Sequence, residues 1–378
     1  MTAPDTRLDA LRGSTARLPY NARSLAALEN NPRCSLRAVL DASGSDKQAI
    51  AKAAGYETHY GQSVFAITRG NSFEAMVKDN GGTELLRVLR ETLKLDPSEV
   101  AHADLNEVSG DPTPSVRYTR ACHRLVAVAR GEEQGTLFDH PMLMLTVGGH
   151  RAFLEPDLVA FRVRGKFHVV EIKSFPIIDR QANPDLVRSA TTQAAAYIIA
   201  LRAMLAEHGI GPTAVSDEVV LVAPKNFSNR PTGEKIDARK QVRNLTRQLQ
   251  RLEKISDLVD KLPAGLTFDL SDGASGERAK EDLQKALSSV ESDYRPSCLN
   301  HCEMAFFCRS KARACGSVDV LGPAVREQLG GIDTVTMALG LARGELTPTA
   351  DQAEMAAALR HAARLRAELA VTPAAGAR

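Results

Sequence analysis

The feature that most constrains this chain is a pair of apolar runs joined by a short basic turn, each ending in charge. The first is Leu154-Glu155-Pro156-Asp157-Leu158-Val159-Ala160-Phe161, and the second is Phe167-His168-Val169-Val170-Glu171-Ile172-Lys173. Runs of this length, rich in Val, Ile and Phe, read as strands, and Arg164-Gly165 between them reads as a hairpin turn. Strand side chains alternate between faces, so Glu171 and Lys173 share one face while Ile172 points to the core. The hairpin brings Asp157 beside Glu171. Two carboxylates and the backbone carbonyl of Ile172 suit a hard cation such as Mg²⁺ or Mn²⁺, which prefers oxygen ligands.

Bulk properties exclude several classes. With 378 residues, 43% hydrophobic and 25% charged, the chain has the composition of a soluble globular protein large enough for one or two domains. Residues 1–21 are polar and carry arginines with no apolar stretch, which predicts no secretory signal. No apolar run approaches the length of a membrane span, so no membrane association is expected and a cytoplasmic location is. There, clustered cysteines bind metal more often than they form disulfides. The net charge of +2 decides nothing, because a nucleic-acid partner needs a local basic face rather than a basic total.

Along the chain, periodicity predicts a loose leader over 1–19 and a mainly helical part over 20–135. That part comprises helices over 22–40, broken near Asn31-Pro32, a strand running into a helix over 61–78, and helices over 84–95 and 118–130. Residues 106–114 read as a turn-rich break, and Cys122 as a buried core residue. Strands are expected over 142–147, 152–163 and 166–172, a long helix over 184–207, a short buried strand over 218–223 and a long helix over 234–261, so that 136–262 forms an α/β core. A Gly/Asp-rich loop over 263–277 opens a cysteine-bearing region, 263–316, and a helical tail fills 317–378. Between Lys225 and Lys254 nine Lys/Arg face three Asp/Glu, and Arg239, Arg243, Arg247 and Arg251 recur at i+4 along one helix stripe. Such a stripe is either a solvated face or a phosphate-contacting one.

About twenty residues beyond Lys173, Gln193-Ala194-Ala195-Ala196-Tyr197 places Gln193 and Tyr197 at i, i+4 on one helix face. Pro156-Asp157, Glu171-Ile172-Lys173 and this Gln-x-x-x-Tyr together resemble the PD-(D/E)XK superfamily, and the last motif resembles its RecB-like branch. The resemblance implies a restriction-endonuclease-like core, a mixed central sheet flanked by helices, with helical additions at both ends. It implies Asp157 and Glu171 as metal ligands, Lys173 as the catalytic lysine, and Gln193 and Tyr197 as residues that orient the lysine or the nucleic acid. In that branch an upstream Gly-x-x-apolar-His motif adds a ligand. Gly70-Asn71-Ser72-Phe73-Glu74 fits the frame with Glu74 in place of His.

Four cysteines, Cys298, Cys302, Cys308 and Cys315, fall within 18 residues, and Cys34 stands alone near the N-terminus after a proline. Four thiolates suit an iron–sulfur cluster or Zn²⁺. The set is similar to that of iron–sulfur RecB-like nucleases, including CRISPR-associated adaptation exonucleases and AddB-type subunits. There one cysteine before the core and three after it hold a 4Fe-4S cluster that staples the domain. By that resemblance the ligands are Cys34, Cys298, Cys302 and Cys308. The first gap among the C-terminal three is three residues rather than the usual two, which leaves Cys315 as a rival fourth ligand. A Zn knuckle using His301 with these cysteines is the other reading.

The resemblance thus implies a Mg²⁺- or Mn²⁺-dependent DNA nuclease with a structural 4Fe-4S cluster, acting in antiphage defence or DNA repair. The resemblance does not cover the helical tail; separately from it, residues 324–369 are a candidate for docking on another protein of a larger complex. The alternative is a catalytically inactive nucleic-acid-binding or scaffold subunit on the same fold, with Zn in place of the cluster.

Overall fold

A computed structural model describes residues 3–57, 64–94, 102–104, 113–133, 137–163, 165–179, 181–226, 228–271 and 278–371, and the statements below concern these residues. The chain is mixed α/β and divides into two compact units. One comprises residues 1–32, 37–46 and 61–269; the other comprises 33–36, 47–60 and 270–378.

The first unit contains α1 (Ala3–Arg12), α2 (Ala22–Asn30) and most of α3 (Ser35–Ser43). The helix α4 (Lys47–Ala53) belongs to the second unit. The first unit continues with α5 (Val64–Leu93), α6 (Pro114–Arg130), α7 (Pro184–Glu207), α8 (Arg239–Glu253) and α9 (Ile255–Val259). Its strands are β1 (His102–Asp104), β2 (Leu137–Asp139), β3 (Leu143–Val147), β4 (His150–Leu154), β5 (Leu158–Val163), β6 (Lys166–Ile172), β7 (Glu218–Pro224) and β8 (Pro231–Asp237).

Six strands form one mixed sheet in the order β1-β2-β5-β6-β7-β8. The β5–β6 and β7–β8 pairs are antiparallel, as are β2 and β5, while β1–β2 and β6–β7 are parallel. The parallel step from β6 to β7 needs a crossover, which α7 supplies. This helix starts cleanly: Pro184 occupies its first turn, and the Asn183 carboxamide accepts from the backbone N–H groups of Asp185 (2.9 Å) and Leu186 (3.3 Å). A run of small buried residues, Ala190, Ala194, Ala195 and Ala196, lets it lie close against its neighbours.

The opposite face of the sheet is covered by α5. Phe73, Val77, Leu85, Val88, Leu89 and Leu93 pack with Leu137, Val170, Ile172, Val220 and Val222. Each fully buried aliphatic side chain of this kind contributes about 1.5–3 kcal/mol. The helix is interrupted over Asp79–Gly82, where Asn80, Gly81 and Gly82 take positive φ, so its first stretch ends at Lys78.

Several sequence expectations need correction. Residues 3–12 are not a loose leader: they form α1, with Leu8 and Leu11 buried. The single strand expected over 152–163 is two strands in different sheets. Pro156 has no N–H to donate and holds Glu155 extended, so the chain leaves the β3–β4 hairpin there and enters the main sheet at Leu158. The helix expected over 234–261 begins only at Arg239, because 231–237 pairs with β7 along its whole length. Gly233 is required there: a Cβ would lie 2.3 Å from Thr92 Oγ1 and 2.8 Å from Val88 Cγ1 of α5. From Val64 onward the segment expected as a strand running into a helix is helical. Residues 58–63 and 105–112 lie outside the described ones, as do 272–277, so the expected breaks there are described only in part. Cys122 is half-buried rather than in the core, with its Sγ 3.2 Å from His208 Nε2.

The second unit contains α10 (Lys280–Ser288), α11 (Ala305–Ala314), α12 (Pro323–Leu329), α13 (Val335–Arg343) and α14 (Ala353–Val371). Val318, Leu329, Ile332, Leu341 and Ala356 form a core of its own. The short N-terminal segments are built into it. Leu36 N donates to Glu291 O (2.8 Å), Gln284 donates to Ala54 O (2.8 Å), and Tyr56 stacks edge-on against Phe307 with centroids 5.5 Å apart.

Candidate functional site

The end of β6 and the start of β5 carry the charged group anticipated from the sequence. Pairing of Leu158 with Val170 sets Asp157 beside the last residues of β6. Asp157 Oδ2 accepts from the backbone N–H of Ile172 at 2.9 Å, which fixes the carboxylate. Lys173 reaches back across the strand end, with Nζ 2.7 Å from Glu171 Oε1 and 3.5 Å from Asp157 Oδ2. Glu171, Lys173 and Asp157 therefore converge at the end of β6, an interior strand of the sheet whose residues from Phe167 to Ile172 are buried.

Burial sets the electrostatics. Glu171 is 1% exposed, and its Oε2 is buried with no hydrogen-bond partner. Loss of water raises its pKa to about 7; Lys173 pulls it down, while Asp157 and Glu74 push it further up. For Lys173, burial alone would favour the neutral amine, but Glu171 and Asp157 outweigh it and raise its pKa. Tyr197 is buried on α7, and burial lifts its hydroxyl well above the ordinary value, with Glu171, Asp157 and Glu155 acting in the same direction. Tyr197 thus lies within electrostatic range of the acid group. Gln193, one turn earlier on α7, is half-buried. Arg117 of α6 pairs with Glu155, next to Pro156.

A second charged group adjoins the first. Glu74 lies on the first stretch of α5, one turn before its interruption. Lys78, four residues on, places Nζ 2.5 Å from Glu74 Oε1, 2.7 Å from Asp139 Oδ1 and 3.1 Å from the Asp157 carbonyl oxygen. His140 bridges the same carboxylates, with Nε2 3.1 Å from Glu74 Oε1 and Nδ1 2.9 Å from Asp139 Oδ1. Hydrogen bonds to Asp139 and Glu74 raise the imidazole pKa to about 9. Burial would raise Glu74, but hydrogen bonds from His140 and Lys78 outweigh it and hold the carboxyl at about 2; Asp139 is lowered by the same partners against its own burial. Lys78, Asp139 and His140 had no counterpart in the sequence reading. The only available signal was the i, i+4 spacing of Glu74 and Lys78. The arrival of Asp139 depends on β2 pairing with β5, in which Asp139 stands opposite Leu158.

The oxygen-rich set Asp157, Glu171 and the Ile172 carbonyl has the chemistry to hold a hard divalent cation, and the unpartnered Glu171 Oε2 is an acceptor left over for one. In the arrangement observed, ammonium groups stand between the carboxylates. Among the described residues no group of three or more His, Cys, Asp or Glu is drawn together as a metal-binding set.

Five of the six cysteines lie in the second unit; Cys122 is in the first. Cys34, Cys298, Cys302 and Cys308 are all buried, and Cys315 is exposed at the end of α11. Cys302 N donates to Cys298 O (2.8 Å) in a short 3-10 turn, and Cys308 N donates to Met304 O (3.0 Å). Burial pushes the Cys308 thiol up, and its neighbours Cys302, Cys34 and Cys298 push the same way. No disulfide joins any of the six. Cys308 is thus within electrostatic range of Cys302, Cys34 and Cys298, but among the described residues the cysteines are not drawn together as a metal-binding set. Thiols of this kind have the chemistry for a cluster or Zn²⁺.

The arginine stripe lies on the exposed face of α8, opposite Val242, Leu245, Leu249 and Leu252. Its ends are engaged locally: Arg239 pairs with Asp237, and Arg251 donates to the Pro32 carbonyl. No helix is long and apolar enough to cross a membrane among the described residues. No protein-family model matches the chain, and a search of curated proteins finds no match.

Proposed function

We propose that this chain is a metal-dependent DNA nuclease of the RecB-like kind, built on a restriction-endonuclease-like core. The observation that carries the reading is the convergence of Asp157, Glu171 and Lys173 at one strand end, with Lys173 Nζ 2.7 Å from Glu171 and 3.5 Å from Asp157. When bound, Mg²⁺ or Mn²⁺ supplies charge neutralisation at the scissile phosphate and a water of lowered pKa. Asp157, Glu171 and the Ile172 carbonyl would hold the ion. Lys173, kept cationic by its neighbours, is suited to position the attacking water and to offset charge developing on the phosphate. Tyr197 and Gln193, one turn apart on α7, would orient the lysine or the nucleic acid from that side. The exposed arginines of α8 offer a path for the phosphate backbone.

In this reading Cys34, Cys298, Cys302 and Cys308 hold a structural 4Fe-4S cluster, an assignment supported by the burial of these four and the exposure of Cys315. The helices after Gly316 are the candidate surface for partner proteins of a defence or repair complex. A cleavage assay on 5′- and 3′-labelled single- and double-stranded DNA tests the reading. Products that form with Mn²⁺ and vanish with EDTA are expected, and no cleavage of any substrate would overturn it.

A further inference from the structure

Lys78 stands where a cation is wanted. Its ammonium touches Glu74 and Asp139 and the Asp157 carbonyl oxygen, at 2.5, 2.7 and 3.1 Å. Its side chain is 13% exposed, so these are its principal partners rather than water. Lys78 is the last residue before the interruption of α5; its side chain pairs with Glu74 one turn back along the helix and also reaches Asp139 and the Asp157 carbonyl at the strand ends. Two acids this close are unfavourable without a positive charge between them. Beside this group lies Glu171, fully buried, with Oε2 unpartnered and within electrostatic range of Glu74. Charge is therefore balanced on the Glu74 side by Lys78 together with the His140 ring, and an acceptor is left over on the Glu171 side.

We propose that Lys78 is a built-in counter-cation that occupies Glu74 in the metal-free protein and must release it before that carboxylate can join a divalent ion. The inference rests on the proposed metal site and adds to it a residue that sets how tightly the ion is held. The geometry favours competition over support. An ammonium on Glu74 occupies a carboxylate oxygen that a Mg²⁺ or Mn²⁺ ion would use, and the two cations repel. His140 keeps Glu74 and Asp139 bridged when Lys78 leaves, so the acid group does not fly apart.

The test is Mn²⁺ binding by calorimetry on the full chain, for wild type, Lys78→Met, Lys78→Gln and Glu171→Gln. Removing the competing charge should tighten Mn²⁺ binding by about tenfold or more in both Lys78 variants, a gain of ~1.4 kcal/mol. The Mn²⁺-induced rise in melting temperature should grow in parallel, since the variants lose a counter-ion that Mn²⁺ restores. The Gln variant keeps a donor to Glu74, so the comparison survives if the Met variant folds poorly. Unchanged or weaker Mn²⁺ binding in the folded Lys78 variants overturns the proposal. Glu171→Gln separates the two levels of argument. If it binds Mn²⁺ as wild type does, the metal site itself is misplaced. If it loses binding while the Lys78 variants match wild type, only the counter-cation role fails.

Discussion

Lys173 and Lys78 divide the acids of this site between them, one holding Asp157 and Glu171, the other Glu74 and Asp139. The first pairing was legible in the sequence because a hairpin is local. Alternation along β6 fixes that Glu171 and Lys173 share a face, and the hairpin brings Asp157 to that strand end despite a bulge between Ala160 and Arg162 that simple counting from the turn would miss. The second pairing was not legible, since Asp139 and His140 arrive through pairing of β2 with β5 and contact with a helix some sixty residues earlier. His140 gives this group a pH signature. Its pKa is raised to about 9 in the folded chain against an ordinary 6.5, so the protonated ring stabilises the fold. That contribution is complete below pH 6.5 and is lost as pH rises through 9. Because the ring is partly exposed, we discount it to roughly 2 kcal/mol. Denaturant unfolding of wild type and His140→Gln in EDTA should differ most at pH 6 and converge by pH 10. A difference that does not change with pH would contradict the assignment.

At the level of elements, the strongest periodicities were read correctly. The 184–207 helix was placed to the residue, because its cap, proline and apolar face all agree. Errors fell where tertiary pairing overrode local preference. Residues 234–237 carry no strong strand pattern, yet they form an edge because β7 offers a partner and Gly233 lets α5 approach. Pro156 marks the break between β4 and β5 in the sequence, but the apolar residues on either side of it continue the strand pattern and mask it. The α8 stripe is an element-scale prediction. Arg239 is held by Asp237 and Arg251 by the Pro32 carbonyl, while Arg247 donates to Asn244 on its own helix; reversing Arg243 and Arg247 leaves the Asp237 and Pro32 contacts in place. The double charge reversal Arg243→Glu/Arg247→Glu should weaken DNA binding alike on all sequences. It should also flatten the salt dependence by roughly two units of log–log slope. An unchanged slope would make the stripe a solvated face.

Across the whole molecule, the chain is two units, and the sequence placed Cys34 with the C-terminal cysteines although some 260 residues separate them. That placement came from the resemblance, since no local pattern links a lone cysteine to a distant cluster. The helical tail was legible only as helix; its division into α12, α13 and α14 around Val318, Ile332 and Leu341 was not. If the buried thiols hold a 4Fe-4S cluster, protein purified without oxygen should be brown. It should contain roughly four irons and four acid-labile sulfides per chain. Cys302→Ala should lose both, while Cys315→Ala should keep them. Stoichiometric zinc in a colourless protein would support the knuckle reading instead.

The central claim is that the convergence of Asp157, Glu171 and Lys173 is a catalytic centre. The most direct measurement is the Mn²⁺-dependent cleavage rate of wild type against Asp157→Ala and Lys173→Ala, with folding followed by circular dichroism and DNA binding by anisotropy. The structure predicts that both variants remain folded and retain most of their DNA binding while cleavage falls by at least about a thousandfold, on the scale of losing a group that acts in the transition state. Full cleavage in both variants would contradict the claim.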